Sequence, residues 1–214
     1  MAEPSMIRGA IDALSIEDGP ALSCQERALI KLGLAASVTS LNIRAIDLAI
    51  QEAFGAGCTP DQVQEIISVV SSLGVHSLMV TAAAILKRAR EAGHDVDGPP
   101  TEFEERKWAE RIGGDPFWSA MNHELPGFLR SLLRLSPKQF DAFFDYCAVP
   151  WKSRFVKAQI KELLAMACDA TPAHVFMPGF RLHLTNAIKL GAGRRAIDEC
   201  LALASAAPPH VAIE

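Results

Sequence analysis

The chain has 214 residues, half of them hydrophobic and 7% aromatic, with a net charge of −4 and a pI of about 5.9. That length supports a real core in one domain or two small ones. There is no basic block to attract nucleic acid, no apolar run near the roughly 18 residues of a membrane span, and no charged-then-apolar order in MAEPSMIRG to mark a secretory signal. Apolar bulk comes mainly from Ala, Leu, Ile and Val at helical spacing, which predicts an all-α protein. Cys24, Cys58, Cys147, Cys168 and Cys200 are odd in number and form no C-x-x-C. They indicate neither a disulfide framework nor a zinc site, and they fit a reducing cytoplasm.

In chain order, a short helix is expected over 4–14, before the loop at Glu17-Asp18-Gly19-Pro20. Ser23 and Glu26 have capping-box spacing for a helix over about 24–38. A second helix follows over 41–55. Thr59-Pro60-Asp61-Gln62 has Thr at N-cap, Pro at N1 and Gln at N3, and starts a third that ends near Gly74. A fourth runs over 76–92. His94 to Thr101, with Gly98, Pro99 and Pro100, is a linker. Beyond it, Glu102 to Ile112 is helical, 117–135 holds two pieces broken near Pro126, and Ser136-Pro137 starts a helix expected to end before Pro150. A long helix over 152–169, a stretch from His174 to Gly191, and a helix over 194–206 complete the chain.

Shifting the sequence by 134 positions lays Leu29 on Leu163, Ala36 on Ala170, Ala53 on Ala187, Gly57 on Gly191, Glu65 on Glu199 and His76 on His210. No gap is needed over some fifty residues, as expected of a duplication. The copies are unequal. Glu162, His174 and His183 of the second fall on Ala28, Ser40 and Ala49 of the first. The expected organisation is a degenerate first repeat in 1–93, a helical linker in 94–136 and a second, site-bearing repeat in 137–214.

Phe180-Arg181-Leu182-His183, followed by Asn186-Ala187 and Gly191, resembles the F-x-x-H-x-x-x-A-x-x-x-G core of the carboxymuconolactone decarboxylase family. Glu162-Leu163-Leu164 resembles its E-L-I segment, and Leu73-Gly74-Val75-His76 resembles the end of its repeat. The pattern His174 to His183 is similar to a tandem-repeat branch from bacterial catabolic pathways. The resemblance spans roughly 23–90 and 137–210. It implies the all-α alkylhydroperoxidase-like fold in tandem repeats, a homo-oligomer, and a decarboxylase-like lyase or hydrolase of aromatic catabolism without a cofactor. Its substrate would be a small carboxylated lactone or related organic acid. Peroxidase relatives carry C-x-x-C ahead of the histidine, where this chain has Phe176 and Gly179, and Asn42 and Ala45 in the first copy. Redox chemistry is therefore not expected.

Decarboxylation leaves an electron pair to be delocalised and then protonated, which calls for an oxyanion or carboxylate partner and a proton donor near pH 7. His183 fits the acid–base role. It shares a helical stripe with Phe180, Ala187 and Leu190. Glu162 is expected to orient it, with His174 contributing from a loop. Arg181 is a candidate substrate carboxylate ligand, although two residues along a helix turn it roughly 200° from His183. His76 and His210, at the repeat ends, are further binding candidates. No metal is expected. A catalytically silent ligand- or partner-binding protein on the same fold is the alternative.

Overall fold

The computed structural model describes residues 4–213, and every regular element among them is helical. The signal-peptide reading rests in part on residues 1–3, which lie outside the described residues. The helices are α1 Pro4–Asp12, α2 Cys24–Ala36, α3 Ile43–Gly55, α4 Pro60–Ser71, α5 His76–Glu91, α6 Glu102–Arg111, α7 Pro116–Glu124, α8 Phe128–Leu135, α9 Pro137–Lys152, α10 Ala158–Asp169, α11 Met177–Lys189 and α12 Arg194–Ser205. A 3-10 turn, Ser72–Val75, joins α4 to α5. Two compact units result. One comprises Met1–Leu73 with Val149–Glu214, the other Gly74–Ala148.

The discontinuous unit is built on the repeat. Shifting α3 and α4 by 134 positions reproduces the bounds of α11 and α12, and α2 falls on α10 to within one residue. The correspondence reaches the backbone. Leu41 and Val175 both have positive φ, 39° and 40°, and Gly57 and Gly191 follow at 85° and 90°. The turns before α3 and α11 are bonded alike. Leu41 N donates to Ser37 O as Val175 N does to Thr171 O, and Asn42 N donates to Ala35 O as Phe176 N does to Asp169 O. Gln25 and Gln159 each donate to the backbone closing the following helix, at Gly57 O and Leu190 O.

Packing follows the same symmetry. α2 and α10 touch each other, α3 packs on α2 as α11 does on α10, and α4 and α12 each touch both central helices. α10 is buried along its whole length from Ile160 to Asp169. Leu29, Ile30, Leu163, Leu164, Phe180 and Ile197 lie in the shared core, and burial of such side chains contributes roughly 1.5–3 kcal/mol each. Two of the charge pairs that cross between the copies occupy equivalent positions. Arg27 of α2 bonds Glu199 of α12 at 2.8 Å. Lys161, its counterpart in α10, pairs with Glu65 of α4.

The Lys161–Glu65 pair is almost fully buried, and its remaining capacity is filled locally. Lys161 Nζ donates to Pro150 O at 2.6 Å and Ser153 O at 3.0 Å. Ser153 Oγ and Phe155 N both donate to Glu65 Oε2. This explains two departures from the sequence reading. α9 runs through Pro150 to Lys152 instead of stopping before it, because a proline in the last turn leaves few helical bonds unmade and its carbonyl is taken up by Lys161. α10 begins only at Ala158, because residues 153–157 are drawn out to serve Glu65.

The second unit is held by a ring cluster in which Trp118 meets Phe117, Phe143 and Phe144, and Phe128 packs edge-on to Phe143. Arg134 bonds Glu104 and the carbonyls of Val96 and Gly98, tying the proline-rich segment down. α5 packs on α8, and α9 supplies Phe140, Phe143 and Phe144 to the same cluster. The compact units therefore divide the chain differently from boundaries at 93/94 and 136/137. Contrary to the sequence reading of apolar runs, the helical stretch Pro60–Glu91 is long and apolar enough to cross a membrane by length and composition, and it contains an 18-residue window with a mean hydropathy of 1.8. Its first half is α4, whose Val63, Ile66, Val69 and Val70 are packed in the repeat core.

Candidate functional site

Glu162 lies one turn into α10, and His183 lies at the middle of α11. The two helices pack tightly, and His183 Nδ1 meets Glu162 Oε2 at 2.6 Å. The second carboxylate oxygen accepts from Asn186 Nδ2 at 3.2 Å. Asn186 is one turn beyond His183, at i+3, so one helix face presents both groups to the carboxylate. Glu162 is 8% exposed and the His183 side chain 19%. With Nδ1 donated to Glu162, Nε2 is the ring nitrogen left to face a ligand. Burial works against the imidazolium, but the hydrogen bond and charge of Glu162, with the charge of Asp169, outweigh it and raise the His183 pKa. Phe180 and Ala187 are buried beside His183 as the stripe predicts, whereas Leu190 is exposed.

Asp169 is the residue the sequence reading missed. It ends α10, seven positions after Glu162, which is two turns along the same face. It is 2% exposed. Burial pushes its pKa up to about 7, against an opposing pull from His183. Its carboxylate lies on the backbone of Gly179, where a Cβ would overlap Asp169 Oδ2. Pro178 sits in the first turn of α11, and Gly179 allows the close approach.

His174 stands on the turn between α10 and α11, with Nε2 3.7 Å from Asp169 Oδ1. That is beyond hydrogen-bond distance. Burial lowers its pKa. Of the sequence candidates, Glu162 and His183 meet directly, and His174 lies beside Asp169, whose charge His183 feels. Arg181 is half-buried on α11. His210 is exposed in the C-terminal tail, where Pro208 O and Pro209 O accept from Ser40 and Asn42. His76 begins α5 in the other unit.

The first copy has no such set. Ala28, Ala35 and Ala49 stand where Glu162, Asp169 and His183 do, and all three are buried in the core. Four of the five thiols are unsuited to redox work. Cys58, Cys168 and Cys200 are buried. Desolvation raises all three, Cys200 to about 12, and it raises Cys147 to about 11. The arrangement offers a carboxylate-held imidazole, a buried carboxyl titrating near neutrality and a second, neutral imidazole. These are the parts of a proton-transfer site.

No family model matches the sequence, and no curated protein matches it. A search of solved structures finds the crystal structure, at 1.70 Å, of a provisionally assigned gamma-carboxymuconolactone decarboxylase subunit from Burkholderia xenovorans LB400. The two chains are 30% identical, with a TM-score of 0.74 over 86% of this chain and 72% of the other.

Proposed function

From the premise that this chain belongs to the carboxymuconolactone decarboxylase family, we propose that it is a cofactor-independent lyase or hydrolase acting on a small carboxylated lactone or related ring-cleavage product. The observation that carries this reading is the Glu162–His183 hydrogen bond with Asp169 two turns along the same helix. In a decarboxylation the carbon–carbon bond to the carboxylate breaks, carbon dioxide leaves, and the electron pair passes into the conjugated lactone. His183, whose protonated form Glu162 favours, stabilises the oxyanion so formed through Nε2. Asp169, protonated for part of the time at neutral pH, gives its proton to the carbanionic carbon directly or through His174, and is recharged from water.

Turnover of a panel of γ-lactone carboxylates, followed by loss of ring absorbance, tests this. Glu162→Gln should lower the His183 pKa read by NMR and cut kcat by about 100-fold or more, the usual worth of a positioned acid–base group. An active protein with Glu162→Gln and His183→Gln both indifferent would refute the assignment.

One observation favours a second reading, a ligand-binding protein without turnover. A cavity of about 620 Å3 in the repeat unit is large enough for a small molecule and is lined by residues other than Glu162, Asp169, His174 and His183. Binding of an acid from the panel with no product formed would select it. We further propose self-association through α3, where Ile43, Leu48 and Phe54 are exposed; sedimentation of a Leu48→Glu variant checks it.

A further inference from the structure

The cavity of about 620 Å3 lies between α1, α12 and the turn from Ala170 to Val175. One wall of it is α1, which lies ahead of the first repeat in sequence. The volume is that of a small-molecule pocket. Ile11, Val175 and Leu201 contribute apolar surface to the lining, and Ile11 is buried there.

The polar side of the lining is specific. Arg8 forms no ion pair or hydrogen bond among the described residues. Arg194 approaches Asp12 at 3.6 Å and Asp198 at 3.4 Å, both longer than good charge-assisted hydrogen bonds. Two guanidinium groups with unspent donors therefore share the lining with an apolar surface. They suit one carboxylate, because Arg presents its donors in a planar fork. The carboxylates of Asp12 and Asp198 line the same cavity and oppose a second negative charge.

We propose that this cavity is a second binding site, separate from the Glu162–His183 site, for an amphipathic monocarboxylic acid. The apolar body lies on Ile11, Val175 and Leu201, and the carboxylate lies between Arg8 and Arg194. Asp12 and Asp198 select the monoanion over a dicarboxylate. The reading does not depend on the proposed enzymatic activity.

The test uses the full chain with labelled Ile, Leu and Val methyls, titrated with octanoate, octanedioate and octan-1-ol. The expected result is a saturable octanoate response centred on Ile11, Val175 and Leu201, with octanedioate and octanol each weaker by about tenfold or more, the loss of one charge-assisted contact. An Arg8→Gln/Arg194→Gln double variant should bring octanoate down to the affinity of octanol. Both side chains are on the surface, so the variant should fold, and its methyl spectrum checks this. No saturable response, a response centred instead around His183, or equal affinity for all three probes would overturn the proposal.

Discussion

Replacing Asp169 by Asn should make the protein more stable at alkaline pH while removing a group the proposed chemistry needs. In the folded chain the Asp169 pKa is raised by burial from 3.8 to about 7. Between pH 4 and pH 7 the unfolded chain has released this proton and the folded chain has not. The linkage slope is then negative, and the contribution of this group to stability falls as pH rises. Three pKa units at about 1.4 kcal/mol each give a penalty on the order of 4 kcal/mol, reached in full above pH 7. Asparagine keeps the shape beside Gly179 and carries no charge to desolvate. The Asn variant should match the parent near pH 4 and exceed it by up to about 4 kcal/mol at pH 8. In a chain of this size that is roughly 8–16 °C in Tm. Thermal unfolding of both proteins from pH 4 to pH 8 measures the difference, and turnover on the same samples should fall. A stability difference that does not change with pH, or an Asn variant less stable than the parent at pH 8, would refute the buried-carboxyl reasoning.

Gly179→Ala places a Cβ on the Asp169 carboxylate and the Phe176 ring. It should cost about 1–3 kcal/mol as overpacking does, read as a drop in the urea midpoint. Lys161→Met strands Glu65 among buried groups and should destabilise by about 3–5 kcal/mol, whereas Lys161→Met with Glu65→Leu should recover most of that loss; denaturation of the two variants decides it. Under native conditions a thiol reagent should react first with exposed Cys24, counted by mass spectrometry, and should leave activity unchanged.

The repeat was readable because its signals are local. The capping boxes at Ser23/Glu26 and Thr59/Gln62 form as their spacing demands, and the glycines closing α3 and α11 fall where a helix must turn left-handed. His183 stood out as a polar group on an otherwise apolar stripe, and Glu162 through its place in the E-L-I-like segment of the family resemblance. Asp169 did not. A carboxylate in the last turn of a helix reads as solvent-facing, and only the approach of Gly179 from another helix buries it. Lys161 was equally silent, since its burial depends on Glu65 and on carbonyls from the segment around Pro150. The compact middle unit was missed for the same reason: its aromatic cluster draws α9 away from the repeat that follows it in sequence.

The discontinuity of the repeat unit has a consequence for how the chain is made. α2, α3 and α4 leave the ribosome with Leu29, Ile30 and Val63 still uncovered, because their partners α10 to α12 come after the whole middle segment. Glu65 waits for Ser153, 88 positions further on, which at about 5–20 residues per second is roughly 4–18 s. The contacts of the middle unit lie within one continuous segment, so its order of completion is reversed relative to the sequence: the segment synthesised second is able to close first, and the amino-terminal helices are the part of the newborn chain most exposed to chaperones and to aggregation.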